Sequence, residues 1–209
     1  MPADLRVAGL FPNGLYEFLR LCRRRMTKTI RVSSPPEGFL YEEELVSPND
    51  EVELVRHIEK LPLKEFQFHG YTGKRRTVSF GWHYEFAGEK LNQVGPIPDF
   101  LLPLRNAAAS FAGLRLEDFQ HVLVTEYAPG APIGWHRDKA VFDDVVGISL
   151  LSPCTFRFRR KTAHGWERFN LTLEPRSVYL LRGPARTEWE HSIPTVNELR
   201  YSITFRSLG

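Results

Sequence analysis

The sequence predicts one α+β domain whose core is a β-sandwich or jelly roll. The chain has 209 residues, of which 42% are hydrophobic, and this is enough to build one sizeable core. Helical patterns occupy its first half, and from about residue 120 short segments rich in β-branched and aromatic residues follow. A run of strands behind a helical portion is typical of α+β domains in which two sheets pack together.

The first predicted helix spans residues 47–62, SPNDEVELVRHIEKLP. Ser47 or Asn49 can cap its N-terminus, and acidic residues fill the first turn, where they interact favourably with the helix dipole. An apolar stripe follows, and Pro62 ends the helix.

A second helix is predicted at residues 100–113, FLLPLRNAAASFAG, with Gly113 at its C-terminus. Between the two helices, residues 74–86, KRRTVSFGWHYEF, are predicted to be extended and are unusually aromatic. Residues 1–46 are predicted to be an N-terminal extension that includes an apolar, helical stretch at 14–26.

Six strands are predicted after the second helix. Pro, Gly or charged turns separate these segments, which is the pattern of a sandwich or jelly roll. They span residues 121–127, 145–151, 155–160, 168–173, 177–183 and 199–206.

The composition indicates an ordinary globular protein. A net charge of +3 and a pI near 8.9 permit a polyanionic partner without requiring one. Cys22 and Cys154 make neither a disulfide framework nor a Cys-x-x-Cys metal motif. No apolar run approaches the roughly 18 residues of a membrane span, and the polar N-terminus lacks the pattern of a signal peptide. We therefore expect a cytoplasmic protein with no membrane partner, and we expect it to be a monomer.

The segment YAPGAPIGWHRD, residues 127–138, places a Pro- and Gly-rich turn before a His-x-Asp pair. Residues two apart on an extended segment point to the same side, so His136 and Asp138 can take adjacent coordination positions on a metal ion. The pair alone is a weak signal in a chain with seven histidines.

A third metal ligand has to come from a distant part of the chain. The candidates are His164, on a predicted exposed turn, and His191, which follows a predicted strand. Two histidines and one carboxylate on one face leave three open positions, as in non-haem Fe(II) oxygenases, and the same set also suits zinc.

The last predicted strand divides its residues between two faces. Arg200, Ser202, Thr204 and Arg206 share one face, and Tyr201, Ile203 and Phe205 share the other. The polar face either lines a cavity for a small dicarboxylate, which arginine binds with its planar fork, or is exposed to water.

Together these features resemble the AlkB family of Fe(II)/2-oxoglutarate-dependent dioxygenases. The resemblance lies in the His-x-Asp pair and its lead-in, in a His 55 residues after the first, and in an Arg-x-Ser-x-Thr-Phe-Arg strand 9 residues beyond that. It covers roughly residues 65–209. It implies a double-stranded β-helix (jelly-roll) core at 120–209, with the N-terminal helices packed on one sheet and a substrate-lid hairpin that recognises the nucleotide at 65–95.

The resemblance implies Fe(II) and 2-oxoglutarate as cofactors and O2 as a further reactant. His136, Asp138 and His191 correspond to the iron ligands at the catalytic centre. Arg200 corresponds to the arginine that pairs with the far carboxylate of 2-oxoglutarate. Arg206 corresponds to a second arginine, near the metal-proximal end of the co-substrate and the substrate pocket.

Three further positions are implied to contact the co-substrate or to lie beside it. Tyr127 corresponds to a tyrosine that hydrogen-bonds 2-oxoglutarate. Ser202 and Thr125 stand where relatives have Asn, so the details of co-substrate contact are expected to differ here.

The activity that the resemblance implies is oxidative demethylation of alkylated bases in DNA or RNA, with release of formaldehyde, succinate and CO2. The alternatives are modification of tRNA or of a protein side chain, and a jelly roll that binds nucleic acid without catalysis.

Residues of the extended aromatic segment are the candidates for substrate binding. Phe80, Trp82 and Tyr84 share one face of a strand and either stack an unpaired base or belong to the core. Arg75 and Arg76 lie beside them and could hold phosphate.

One departure from the family pattern concerns the substrate. Ala140 stands where the bacterial repair enzyme that names the family has an acidic residue, and Asp143 or Asp144 could take its place. Two more basic runs, residues 23–25 and 157–161, either hold phosphate or are solvated faces.

Overall fold

The computed structural model of the chain confirms an α+β architecture with antiparallel sheets. The predicted helical stretch at 14–26, the basic run at 23–25 and the candidate ligand His164 lie outside the residues that it describes. The described residues belong to one compact unit and are 34–68, 71–85, 90–163 and 165–209.

The strands of the described residues form two sheets. The large sheet has the order β1-β10-β7-β12-β5-β3-β2, with β4 paired to β3, and the small sheet has the order β6-β11-β8-β9. The strands are β1 (Phe39–Glu42), β2 (Lys64–Phe68), β3 (Tyr71–Glu85), β4 (Lys90–Val94), β5 (Phe119–Tyr127), β6 (Ile133–His136), β7 (Phe142–Leu150), β8 (Cys154–Thr162), β9 (Gly165–Leu173), β10 (Val178–Leu181), β11 (Glu190–Ile193) and β12 (Arg200–Leu208). The helices are α1 (Pro48–Ile58), α2 (Leu102–Ala112) and α3 (Gly183–Thr187). None of these helices is long and apolar enough to cross a membrane.

Helices α1 and α2 cover one face of the large sheet. Ser47 rather than Asn49 caps α1, because its hydroxyl oxygen accepts a hydrogen bond from the amide of Asp50 at 3.2 Å. Gly113 ends α2 in the left-handed conformation, as predicted. Apolar residues of both helices join those of the sheet in one core, in which Ile58 and Ile203 are fully buried.

The opposite face of the large sheet packs on the small sheet. A second core fills this interior, with Val145 and Leu181 from the large sheet and Phe156 and Phe158 from the small sheet. Because side chains alternate along a strand, each residue of the large sheet faces either the helices or the interior between the sheets.

The six predicted strands correspond to β5, β7, β8, β9, β10 and β12, with ends that agree within three residues. The prediction missed β1, β6 and β11, which have four residues each. A four-residue segment is too short for alternation to stand out from its surroundings.

Strand β3 contains most of the predicted extended segment and belongs to the large sheet. Its residues 75–81 pair with β5, and its residues 81–85 pair with β4. Gly81 lies at the change of partner with a φ of 76°, and a Cβ there would collide with the carbonyl oxygen of Gln120. Only glycine fits this position without strain.

Gly147 in β7 lies directly against the ring of Tyr179 in β10, and a Cβ at position 147 would overlap the phenol. Tyr179 is buried in the interior core, so its ring has little room to move. We expect Gly147→Ala to lower the free energy of unfolding by about 1–3 kcal/mol, measured by urea denaturation. Gly95→Ala is the matched control, because a Cβ there meets nothing within 4 Å. Equal unfolding midpoints for the two variants would contradict the packing described.

Candidate active site

The structure brings together the three side chains that the sequence singled out. His136 ends β6, and its partner across the antiparallel pair with β11 is His191. The two imidazole centroids are 4.3 Å apart, and His191 Nε2 lies 3.6 Å from Asp138 Oδ2. All three groups therefore face one point between the two sheets.

The Pro- and Gly-rich turn before His136 has a structural role. Gly130 adopts a φ of 86°, and its amide donates to the carbonyl of Val196 at 2.8 Å. The amide of Val196 in turn donates to the carbonyl of Ala131 at 3.3 Å. These bonds join the segment before β6 to the segment after β11, and they hold His136 and His191 opposite each other.

Burial and neighbouring charges set the protonation of the three groups. Burial lowers the pKa of His191 to about 3, and it also lowers the pKa of His136. Burial alone would raise the pKa of Asp138, but neighbouring positive charge, chiefly that of Arg206, outweighs it and holds that pKa well below its usual range. At neutral pH the set is therefore two neutral imidazoles and one carboxylate.

This donor set fits Fe(II). His136 Nδ1 lies 2.8 Å from the carbonyl oxygen of Gly134, which can only accept, so the proton is assigned to Nδ1 and Nε2 keeps its lone pair. Among the described residues no group of three or more His, Cys, Asp or Glu side chains is placed closely enough to hold a metal ion as it stands.

Arg206 connects the end of the large sheet to Asp138. Its Nε and Nη2 donate to Asp138 Oδ1 at 2.9 and 2.8 Å, and its guanidinium lies 5.3 Å from the ring centroid of Phe142. Its Nη1 lies 3.3 Å from His121 Nδ1. Arg206 therefore lies beside Asp138, one of the three candidate metal ligands.

Arg200 is a buried cation with unpaired donors. It is 1% exposed, and its Nη2 donates to Ser149 Oγ at 3.0 Å. Its Nε and Nη1 are buried and have no hydrogen-bond partner among the described residues, and its guanidinium lies 4.7 Å from the ring centroid of Tyr127. Buried donors are rarely left unpaired, and a carboxylate is the group that this fork fits.

The polar face of β12 is buried, which rules out the alternative in which this face is exposed to water. Ser202 and Thr204 are 6% exposed and lie on the interior side, while Tyr201 and Ile203 join the helix-covered core. Ser202 is flanked by Thr125 in β5 and Ser149 in β7, so small hydroxyl-bearing residues are neighbours on these three strands.

The predicted substrate residues separate between the two faces of β3. Arg75 pairs with Tyr127 and is close enough to His136 for its charge to lower the pKa of that imidazole. Arg76 points to the helix side and donates to both carboxylate oxygens of Glu126 at 2.7 and 2.6 Å. The expectation of a phosphate contact for Arg76 is therefore corrected, because alternation turns its side chain away from the site.

The three aromatic residues of β3 that the sequence singled out lie in different surroundings. Phe80 packs against the helix-covered core, so a base-stacking role for it is also corrected. Trp82 is half-buried and pairs with Gln93 in β4. The backbone of Tyr84 pairs with Leu91, and its side chain lies outside the described part of the chain.

The structure excludes one of the two acids that could take the place of the family acid. Ala140 is exposed. Asp144 faces the helix side and binds Arg182 at 2.6 Å, so it does not take the place of the acid. Asp143 is exposed on the neighbouring position of β7.

Sequence reasoning missed two residues of the site. Arg186 in α3 is buried, and its Nη2 donates to the carbonyl oxygens of Lys139 and Phe142, which bracket the loop that follows Asp138. Tyr179 is buried near Asp138, and its pKa is raised first by burial and then by that carboxylate. The one signal for Arg186 was its position in GPARTEWEH, five residues before His191. Nothing in SVYLLRG indicated that Tyr179 faces the site.

The lowered pKa of His191 predicts acid sensitivity in the metal-free protein. Between about pH 6.5 and pH 3, His191 is protonated in the unfolded chain but stays neutral in the folded protein. The free energy of unfolding therefore falls as the pH falls. From about pH 7.5 to 5 this residue accounts for a loss of about 2 kcal/mol. Urea unfolding of wild type and His191→Gln at both pH values checks this. A variant that loses as much stability as wild type would contradict the buried, neutral imidazole.

Comparison with known proteins agrees with this geometry. The family profile described as the 2OG-Fe(II) oxygenase superfamily matches residues 45–206. The alpha-ketoglutarate-dependent dioxygenase alkB homolog 7, mitochondrial, of Bos taurus is 34% identical over 160 residues, which are 75% of this chain and 64% of that protein. The alkylated DNA repair protein ALKBH8 homolog of Arabidopsis thaliana is 28% identical over 145 residues, which are 58% of this chain and 42% of that protein.

A solved structure, titled "The structure of OsALKBH1", has the same fold, with a TM-score of 0.64 and 18% identity over 84% of this chain and 98% of that one. The chain spans less than two thirds of the length of the two relatives named above. The profile match, the relatives and the shared fold lead to one conclusion. The chain belongs to the 2OG-Fe(II) oxygenase superfamily and, within it, to the AlkB family, whose cofactors are Fe(II) and 2-oxoglutarate.

Proposed function

We propose that the protein is an Fe(II)/2-oxoglutarate-dependent dioxygenase that demethylates alkylated bases in DNA or RNA and releases formaldehyde, succinate and CO2. One observation carries the proposal. The pair of histidines and Asp138 shares the interior with Arg200, a buried cation whose Nε and Nη1 have no partner. A metal-binding face beside a carboxylate-binding fork is what a metal-chelating oxo-dicarboxylate requires.

His136, Asp138 and His191 would hold the iron, and Arg200 would hold the far carboxylate of 2-oxoglutarate. Bound together, iron and 2-oxoglutarate would supply, with O2 as the oxidant, the oxidation that turns an N-methyl group into an unstable hydroxymethyl group. Arg206 keeps Asp138 ionised and oriented, and the Gly134 carbonyl fixes the ring of His136.

Other residues of the interior would orient the co-substrate and exclude water. Tyr127 stacks on Arg200 and closes one side of its guanidinium. Ser149 accepts a hydrogen bond from Nη2, which leaves the Nε and Nη1 donors for the ligand. Tyr179 and the apolar residues around it fill the space between the sheets, so the reaction takes place away from bulk solvent.

A nucleic acid as substrate is supported by the relatives and by the charge near the site. The plant relative carries the name of an alkylated DNA repair protein. Arg75 brings positive charge to the His136 side of the interior, which suits a phosphate-bearing substrate. The exposed Ala140, in place of the family acid, is expected to change which modified base is preferred.

A turnover screen tests this function. We expect the protein with Fe(II) and 2-oxoglutarate to release formaldehyde from oligonucleotides that carry 1-methyladenine or 3-methylcytosine, in equal amount to succinate. Single- and double-stranded DNA and RNA, bulk tRNA and peptides are compared by mass spectrometry. Turnover of tRNA or peptide alone would replace the base-repair assignment by the corresponding alternative. If His136→Ala still converts 2-oxoglutarate to succinate, the iron site is wrong.

Arg186 is expected to position Asp138 for metal binding. Arg186→Lys keeps the charge but replaces the guanidinium whose Nη2 bonds two carbonyl groups of the loop by an ammonium on a shorter side chain, so we expect about tenfold weaker Mn(II) binding, measured by calorimetry. Arg137→Lys is the control, because Arg137 is exposed and, among the described residues, donates to the Thr187 carbonyl alone. Unchanged affinity in Arg186→Lys would show that the loop does not depend on this residue.

A further inference from the structure

The outer face of the small sheet has an unusual composition. Phe156 and Phe158 of β8 and Phe169 and Leu171 of β9 point into the interior core. Alternation turns the residues between them outward. The outward residues on these two strands are Thr155, Arg157, Arg159 and Lys161 on β8 and Trp166, Arg168, Asn170 and Thr172 on β9. Trp135 of β6 joins them, next to the inward-facing His136.

Indole rings and guanidinium groups alternate across this face. The Arg159 guanidinium lies 4.5 Å from the ring centroids of both Trp135 and Trp166. The Arg157 guanidinium lies 5.0 Å from the Trp135 centroid. The resulting stack runs Trp166, Arg159, Trp135, Arg157. We call these four residues and Lys161 the arginine–tryptophan face.

The charge of this face is only partly compensated. Arg159 donates to Glu190 at 2.6 Å, but Arg157 donates to the neutral hydroxyl of Ser192 at 3.0 Å. In the part of the chain that the structure describes, neither Arg157 nor Lys161 forms an ion pair with a carboxylate. Arg157, at one end of the stack, and Lys161, beside it, therefore keep positive charge that no carboxylate in the described residues compensates.

Trp166 lies exposed on the outer face of the small sheet, and its ring does not pack in the core. Its exposed fraction is 46%, and phenylalanines already fill the interior on the other side of the sheet. The other large hydrophobic side chains exposed in the described residues are aliphatic and lie elsewhere: Leu40, Val52, Leu102, Leu151 and Leu199. A planar ring among cations, without aliphatic neighbours, suits a stacking partner that carries negative charge better than it suits a lipid surface.

We propose that the arginine–tryptophan face binds single-stranded nucleic acid, with a base stacked on Trp166 and phosphates at Arg157 and Lys161. The inference rests on the proposed function in one respect: it takes the bound strand to be the substrate, and it states where that strand lies outside the catalytic interior. Trp135 precedes His136 on the edge strand β6. A strand on this face can therefore pass over that edge to the candidate iron site. Unpaired bases are required, because paired bases do not offer their faces to a side chain.

Binding of an unmodified strand tests the proposal without any turnover. The probe is a fluorescein-labelled single-stranded DNA of about 15 nucleotides, followed by fluorescence anisotropy from about 50 to 200 mM salt. We expect Trp166→Ala to weaken binding by about fivefold or more, since it removes one stacked base. We expect Arg157→Ser with Lys161→Ser to flatten the slope of log affinity against log salt by about 1.4, since each lost phosphate contact on a single strand removes about 0.7.

A matched control removes the same charge elsewhere. Lys60→Ser with Lys64→Ser deletes two exposed cations near the end of α1 and the start of β2, away from the arginine–tryptophan face. This variant is expected to keep the affinity and the salt slope of wild type. Urea unfolding midpoints are measured for all variants, so that a loss of binding caused by unfolding is distinguished from one caused by the missing contact.

Each of the following outcomes overturns the proposed binding face, the proposed function or the single-strand requirement. If the face variants bind like wild type while methylated oligonucleotides are demethylated, the face is wrong and the proposed function stands. If binding depends on the face but no methylated strand is turned over, the face stands and the proposed function is wrong. Equal affinity for a duplex of the same sequence would overturn the single-strand requirement. Binding to phosphatidylserine vesicles, with none to the oligonucleotide, would make the face a membrane surface instead.

Discussion

The ion pair between Arg206 and Asp138 is the interaction on which the rest of the site depends. It joins the last strand of the large sheet to the segment that follows β6 of the small sheet, and both side chains are nearly buried. Breaking a buried pair by removing one partner costs about 3–5 kcal/mol, because a charge is then left without compensation. The same pair keeps Asp138 ionised among two neutral histidines, so it also prepares the carboxylate that a metal ion needs.

The large sheet supports this arrangement by giving its two faces different tasks. Along β12, Tyr201, Ile203 and Phe205 are part of the core under the helices, whereas Arg200 and Arg206 face the small sheet. A slip of one residue in the pairing of β12 would exchange these sets and place both arginines in the apolar core. The register of the sheet is therefore tied to the chemistry of the site, and rigid strands rather than loops carry both arginines.

Local patterns were enough to predict the elements and residues whose signal lies within a short stretch. The helix caps, six of the strands and the two faces of β12 follow from capping residues and alternation. Other features depend on pairing between distant strands. Arg75 and Arg76 are neighbours, yet only the register of β3 against β5 decides which of them faces the site. In the same way, the burial of Arg186 and Tyr179 depends on the packing of α3 and β10 against β7, which no local pattern reports.

A crystal structure with Mn(II) and 2-oxoglutarate tests the central claim most directly, because anomalous scattering locates the metal and electron density locates the co-substrate. The account predicts one metal ion bound by His136, Asp138 and His191, with the far carboxylate of 2-oxoglutarate accepting a hydrogen bond from Nε or Nη1 of Arg200. A metal ion bound by other residues, or a co-substrate carboxylate that leaves Arg200 unpaired, would contradict it.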